Sequence, residues 1–185
     1  MHERIGVPVI AVVGDSGAGK TTLLEELLPA LADRGLRVGV VKHASHGFEA
    51  DRPGKDSHRI FGAGAWAVAL ASDAQLAVFA RRAPESPEPL TLAEALDRLP
   101  TGCDAVLVEG FAWELVPRVV VVREGTAAAE RYTRAGPVLD VIPAREGAAG
   151  RRSKTRAPGA RPTLSPERVV ALADRIAVLA LGRAA

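Results

Sequence analysis

The chain has 185 residues, 48% of them hydrophobic, a formal charge of +2 and one cysteine, enough for a single domain burying about 70% of its unfolded surface. That balance excludes a disulfide-stapled secreted scaffold and a strongly cationic nucleic-acid binder, and no apolar run approaches the roughly 20 residues of a membrane span. With no signal-peptide pattern, the expectation is a cytoplasmic protein whose partners are neither nucleic acid nor membrane.

Val7 to Val13 is a continuous apolar run, as expected of a central parallel strand covered on both faces. Directly after it, Gly14-Asp15-Ser16-Gly17-Ala18-Gly19-Lys20-Thr21 matches G-x-x-x-x-G-K-[ST]. Leu23, Leu24, Leu27, Leu28 and Leu31 then recur at helical spacing, with Gly35 as a stop and Pro29 bending the helix. The motif thus lies between a strand and a helix mouth, where a phosphate-binding loop has to lie. Its glycines let backbone amides turn inward around phosphate oxygens. Lys20 supplies a point charge for the β and γ phosphates, and the Thr21 hydroxyl suits Mg²⁺.

Leu36 to Val41 reads as a second strand, followed by a long polar stretch over residues 43–57 that ends in the turn formers Pro53-Gly54-Lys55-Asp56-Ser57. Long loops in compact domains are often functional. A short helix through Ser57 to Ala63 precedes strands at Ala65 to Ala71 and Gln75 to Ala80, joined by Ser72-Asp73-Ala74 as a hairpin. Prolines mark residues 83–89 as a connection, after which Thr91 and Glu94 form a capping-box signature for a helix ending before Pro100. Further strands follow at Asp104 to Glu109, Arg118 to Val122 and Val138 to Ile142, and Ser165-Pro166-Glu167 opens a terminal helix. Residues 151–162 contain five basic and no acidic side chains, and read either as a solvated insertion, bounded at 145–163, or as a basic arm toward a phosphorylated ligand. Strands alternating with helices predict an α/β fold of the P-loop NTPase type: a three-layer sandwich with a mostly parallel central sheet and an additional β-hairpin, all in one nucleotide-binding domain over residues 1–185.

A phosphate loop needs a second acidic group to anchor the metal or orient water. Glu109, ending a buried strand before Gly110, fits that place, with Lys20 as the other catalytic candidate. Asp51 and Asp56 are candidates to complete the magnesium shell, and Lys42, Lys55 and Arg59 to neutralise phosphate; loop charges facing water are the alternative for each. His43, His46 and His58 lack a recognisable zinc spacing, which favours hydrogen-bonding or phosphate-contacting roles over zinc.

Gly-Asp-Ser-Gly-Ala-Gly-Lys-Thr-Thr-Leu from Gly14, Val-Lys-His-Ala-Ser-His from Val41, Asp-Arg-Pro-Gly-Lys-Asp-Ser from Asp51 and Leu-Val-Glu-Gly-Phe from Leu107 together resemble the MobB family of molybdopterin-guanine dinucleotide biosynthesis adaptor proteins. The resemblance covers most of residues 5–142. It implies GTP with Mg²⁺ as cofactors, the loop Gly14 to Thr22 as the phosphate cradle, and Thr21, Asp51 and Glu109 as metal candidates. It further implies weak intrinsic GTPase activity, a homodimer with sheets extended across subunits, and partnership with a MobA-type guanylyltransferase that attaches GMP to molybdopterin, which is itself a possible ligand. The loop alone does not separate GTP from ATP, because it contacts what all nucleotides share. A small-molecule kinase built on the same loop is the alternative activity.

Overall fold

In the computed structural model, the residues described are 6–45, 47–49, 51–83, 88–123, 128–144 and 164–182; the basic segment anticipated at 145–163 lies outside them, as does His46. Elements follow in the order β1 (Val9–Val13), α1 (Lys20–Ala32), β2 (Val38–Lys42), α2 (Asp56–Gly62), β3 (Ala67–Ala71), β4 (Leu76–Ala80), α3 (Leu92–Leu96), β5 (Ala105–Glu109), β6 (Arg118–Arg123), α4 (Ala128–Thr133), β7 (Val138–Ala144) and α5 (Pro166–Leu181). Where the sequence predicts one domain, the chain divides into two compact units, residues 1–43 with 91–185, and residues 44–90.

The first unit is built on a five-stranded sheet in the order β2-β5-β1-β6-β7, parallel throughout. Every residue of β1 and β5 is buried, which explains their unbroken apolar runs: a parallel strand covered on both faces has no solvent side to alternate toward. On one face Ile10, Val12, Leu107, Val119, Val121 and Ile142 pack with α1 and α5 through Leu23, Leu27, Leu31, Leu172 and Ile176. On the other, Val9, Ala11, Val13, Val106, Val108 and Val120 pack against Leu92 and Leu96 of α3, Phe111 and Tyr132. These are the three layers that the alternation predicts.

Local chemistry sets the helix ends. Thr91 accepts the Glu94 amide while the Glu94 carboxylate receives the Thr91 N–H, completing the capping box. Pro29 is accommodated inside α1, which runs on to Ala32, and Gly35 follows with φ of 75°. Ser165 stands at the N-cap of α5 but its hydroxyl caps no backbone amide; it hydrogen-bonds Glu167, which together with a backbone hydrogen bond within Glu167 holds that carboxyl below its usual range.

The second unit holds α2 and the antiparallel hairpin β3–β4, with Ala67 opposite Ala80 and Ala71 opposite Leu76. Arg81 packs over the Phe61 ring, 4.4 Å from its centroid, and donates to the carbonyls of Ala65 and Phe61. Much of its apolar surface is exposed: Phe48, Ile60, Trp66, Leu70, Leu76 and Val78.

Candidate phosphate-loop site

At the carboxyl end of β1 the chain turns through Gly14, whose φ is 147°. A Cβ here would land inside the Val121 carbonyl of β6, so the loop lies against the sheet edge only with glycine at this position. Gly19, in the left-handed region at φ 101°, is the N-cap of α1 and makes no side-chain cap. Ser16 and Gly17 are exposed, Asp15, Gly19 and Lys20 are half-buried, and Ala18 is tucked into the core. The amides of Ser16, Gly17 and Gly19 donate to none of the described residues, while Ala18 N–H closes the turn onto the Asp15 carbonyl at 3.2 Å. Open donors at a helix N-terminus suit an anion.

Lys20 folds back along the loop and donates to the carbonyls of Gly14 at 2.9 Å and Asp15 at 2.8 Å. Burial lowers its pKa from the ordinary lysine value; Glu109 pulls it up and Lys42 pushes it down again. The lysine therefore sits in a place that wants additional negative charge, which a polyphosphate supplies.

Glu109 is only 9% exposed at the end of β5. Strand register puts Lys42 of β2 opposite it, and the Lys42 Nζ lies 2.7 Å from Glu109 Oε1. From the loop, the Thr21 hydroxyl donates to Glu109 Oε2 at 2.9 Å, and Lys42 Nζ is also 3.4 Å from Thr21 Oγ1. Residues from three stretches far apart in sequence thus meet at the carboxyl ends of the strands: Lys20 and Thr21 of α1, Lys42 of β2 and Glu109 of β5. Gly110 keeps this corner tight, with φ of 98° and a would-be Cβ 2.8 Å from that of His43.

The sequence candidates divide between the two units. The His43 ring lies tilted against Phe111 and edge-on to Trp113, with ring centroids 4.8 and 5.3 Å away. Asp51, Lys55, Asp56, His58 and Arg59 belong to the second unit. There Asp51 takes a hydrogen bond from Ser57 and one from Arg52 N–H at 2.7 Å, which hold its carboxyl below the usual range, and Asp56 faces Arg59 at 3.8 Å on an exposed helix turn. Among the described residues, no three His, Cys, Asp or Glu side chains are grouped to hold a metal ion. A hydroxyl and one carboxylate are nonetheless the hard oxygen donors that Mg²⁺ takes when phosphate and water complete its shell.

Sequence reasoning missed α4 and what it brings. Tyr132 is buried, and its hydroxyl donates to Asp15 Oδ1 at 3.0 Å; burial raises its pKa. Arg131 reaches the same carboxylate oxygen at 3.3 Å and lies over the Tyr132 ring. The second residue of the loop is therefore tied to a helix 117 positions away. Behind it, fully buried Arg118 donates to the carbonyls of Ala112 at 2.9 Å, Ala135 at 3.0 Å, Tyr132 at 3.2 Å and Glu114. The only sequence sign of this was a charge opening an otherwise apolar strand.

A parallel sheet with a glycine loop between its central strand and first helix, and an acidic strand end facing that loop, defines a P-loop NTPase-like α/β fold. The sequence model of the family described as "Molybdopterin guanine dinucleotide synthesis protein B" matches residues 9–143. The chain belongs to this MobB family. It is 43% identical over 121 residues to the molybdopterin-guanine dinucleotide biosynthesis adapter protein of Haemophilus influenzae, covering 64% of this chain and 65% of that one. With the Escherichia coli adapter protein it shares 41% over 126 residues, covering 68% and 71%. The match thus spans about two thirds of these curated relatives. A crystal structure of molybdopterin-guanine biosynthesis protein B superposes with a TM-score of 0.65 at 31% identity, over 94% of this chain and 99% of that one. The Bacillus subtilis MobB structure gives 0.63 at 28%, over 91% and 97%. No helix among the described residues is long and apolar enough to cross a membrane.

Proposed function

We propose that the chain is a GTP-binding adaptor that assists a MobA-type guanylyltransferase in attaching GMP to molybdopterin. The observation that carries the nucleotide reading is the convergence of Lys20, Thr21 and Glu109 below an open glycine loop. In this reading the loop amides and Lys20 would hold the polyphosphate, and Thr21 and Glu109 would hold Mg²⁺. Bound there, the metal would supply charge neutralisation to the phosphate. Glu109 positions the Thr21 hydroxyl and accepts a proton or orients water. The tie from Tyr132 and Arg131 to Asp15 keeps the loop in shape before ligand arrives.

Hydrolysis by the chain alone is slow in this scheme. No glutamine among the described residues of the first unit is placed to orient water, and an arginine finger supplied by a partner or second subunit would be worth roughly 10³ to 10⁵ in rate. Guanine preference and the partner enzyme come from the kinship with adapter proteins. Calorimetric titration with GTP and ATP in Mg²⁺ tests the nucleotide, and co-purification with the guanylyltransferase tests the partner. Hydrolysis that rises in proportion to an added small-molecule acceptor would turn the assignment to the kinase alternative.

The second unit supports a homodimer. A lone two-stranded hairpin is marginal in water, yet here it exposes Trp66 at 54%, Val78 at 60% and Leu76 at 72%, and each strand keeps an unpaired edge among the described residues. A second copy pairing along such an edge covers both liabilities. Sedimentation of Val78→Glu tests this: a monomer is expected where the parent chain is a dimer, and a monomeric parent chain would refute the homodimer.

A further inference from the structure

Glu109 carries its charge almost out of solvent; the ammonium in direct contact with it is that of Lys42, with Lys20 a second positive charge nearby. This is not a wandering surface contact, because the two residues are register partners on adjacent parallel strands. Lys42 Nζ also lies 3.4 Å from the Thr21 hydroxyl, which itself donates to the other carboxylate oxygen of Glu109. One cation therefore spans the two oxygens to which the proposed function assigns Mg²⁺.

We propose that Lys42 is a built-in placeholder for the divalent cation: it neutralises Glu109 while the site is empty, and makes metal binding conditional on nucleotide. The inference rests on the nucleotide reading above. A dication arriving alone has to displace an ammonium 2.7 Å from the carboxylate oxygen and then remain near that positive charge with only one carboxylate to hold both. A triphosphate alters the balance, since its oxygens offer Lys42 a new partner and the metal further ligands. Lys42 then exchanges Glu109 for a phosphate oxygen as the metal takes over the carboxylate. No proton transfer or covalent step is needed. The long, half-exposed lysine stem, with 56% of its side chain accessible, leaves room for the movement. Because coupling is reciprocal, the same device makes nucleotide affinity depend on metal.

The test uses Mn²⁺ alone, with no nucleotide, followed by loss of the free-ion electron paramagnetic resonance signal. Lys42→Met and Lys42→Gln are expected to bind Mn²⁺ at least about tenfold more tightly than the parent chain, the scale set by removing a unit charge a few ångströms from a dication. Lys42→Arg keeps the charge and is expected to stay as weak as the parent, and adding Glu109→Gln to Lys42→Met is expected to abolish the gain. Equal or weaker Mn²⁺ binding by both neutral variants overturns the placeholder. Failure of the parent chain to bind GTP with Mg²⁺ in a separate titration overturns the nucleotide reading instead, so the two failures are distinct.

Discussion

Replacing Arg118 by Met keeps the volume and the apolar stem but removes a guanidinium on which two loops are hung. Four carbonyls, those of Ala112, Glu114, Tyr132 and Ala135, lose their donor, the Tyr132 bond buried and the other three partly buried. Hydrogen bonds from a charged donor contribute about 1.5–3 kcal/mol each, against which the variant avoids the several kcal/mol spent on desolvating the charge. Burial also lowers the Arg118 pKa. The net loss expected is about 3–5 kcal/mol, as for breaking other buried charged networks. Against a total of roughly 5–15 kcal/mol that is a large share, and at about 2–4 °C per kcal/mol for a chain of this size it lowers Tm by roughly 6–20 °C. Guanidinium chloride unfolding followed by circular dichroism gives the free energy, and scanning calorimetry the Tm. Arg118→Lys is expected to recover less than half, since one ammonium does not span four carbonyls. A loss below about 1 kcal/mol for Arg118→Met would refute the reasoning, because it would mean that solvent reaches these carbonyls readily or that they were never held by the guanidinium.

Lys20→Ala is expected to lower triphosphate affinity at least 100-fold by calorimetry and, because its ammonium holds the Gly14 and Asp15 carbonyls, to cost about 1–2 kcal/mol of stability as well; undiminished GTP binding would count against its role. Burial depresses the Lys20 pKa, so between that value and the ordinary one the unfolded chain binds more protons and stability rises with pH. Across the same alkaline window triphosphate affinity is expected to fall, with proton uptake on binding visible as a dependence of calorimetric heat on buffer. Glu109→Gln is expected to leave the nucleotide bound but to remove most of the dependence of its affinity on Mg²⁺, and an unchanged dependence would move the metal elsewhere. Tyr132→Phe deletes one hydrogen bond to Asp15 and is expected to weaken GTP binding about three- to tenfold, in proportion to the ~1 kcal/mol of such a bond, whereas no change would show that the loop holds its shape without α4.

What the sequence made legible were features that depend on near neighbours. The loop from Gly14 to Thr21 is a local constraint, written in glycines that the backbone angles require. Buried strands β1 and β5 are apolar on every residue because both faces are covered, and the capping box at Thr91 needs only a three-residue span. Helix α4 left no such mark: six residues, Ala128–Thr133, are too few to show a helical period. What keeps them in place is Arg118 on the Tyr132 carbonyl and Tyr132 on Asp15, contacts that no local pattern encodes.

The site shows the same division. Thr21 and Glu109 were readable as chemistry, since a hydroxyl behind the lysine and an acid at a strand end are what a metal beside phosphate needs. That Lys42 faces Glu109 was not readable, because it follows from β2 lying beside β5 and not beside β1, its predecessor in the chain. Once that strand order is set, the pairing is compelled: β2 and β5 run parallel with Val38 opposite Ala105, so each step along one strand is a step along the other, and the fourth step brings Lys42 to Glu109. Register thus converts a choice of neighbouring strands into the charge balance of the site, and the cation that spans Thr21 and Glu109 is a consequence of topology as much as of residue type.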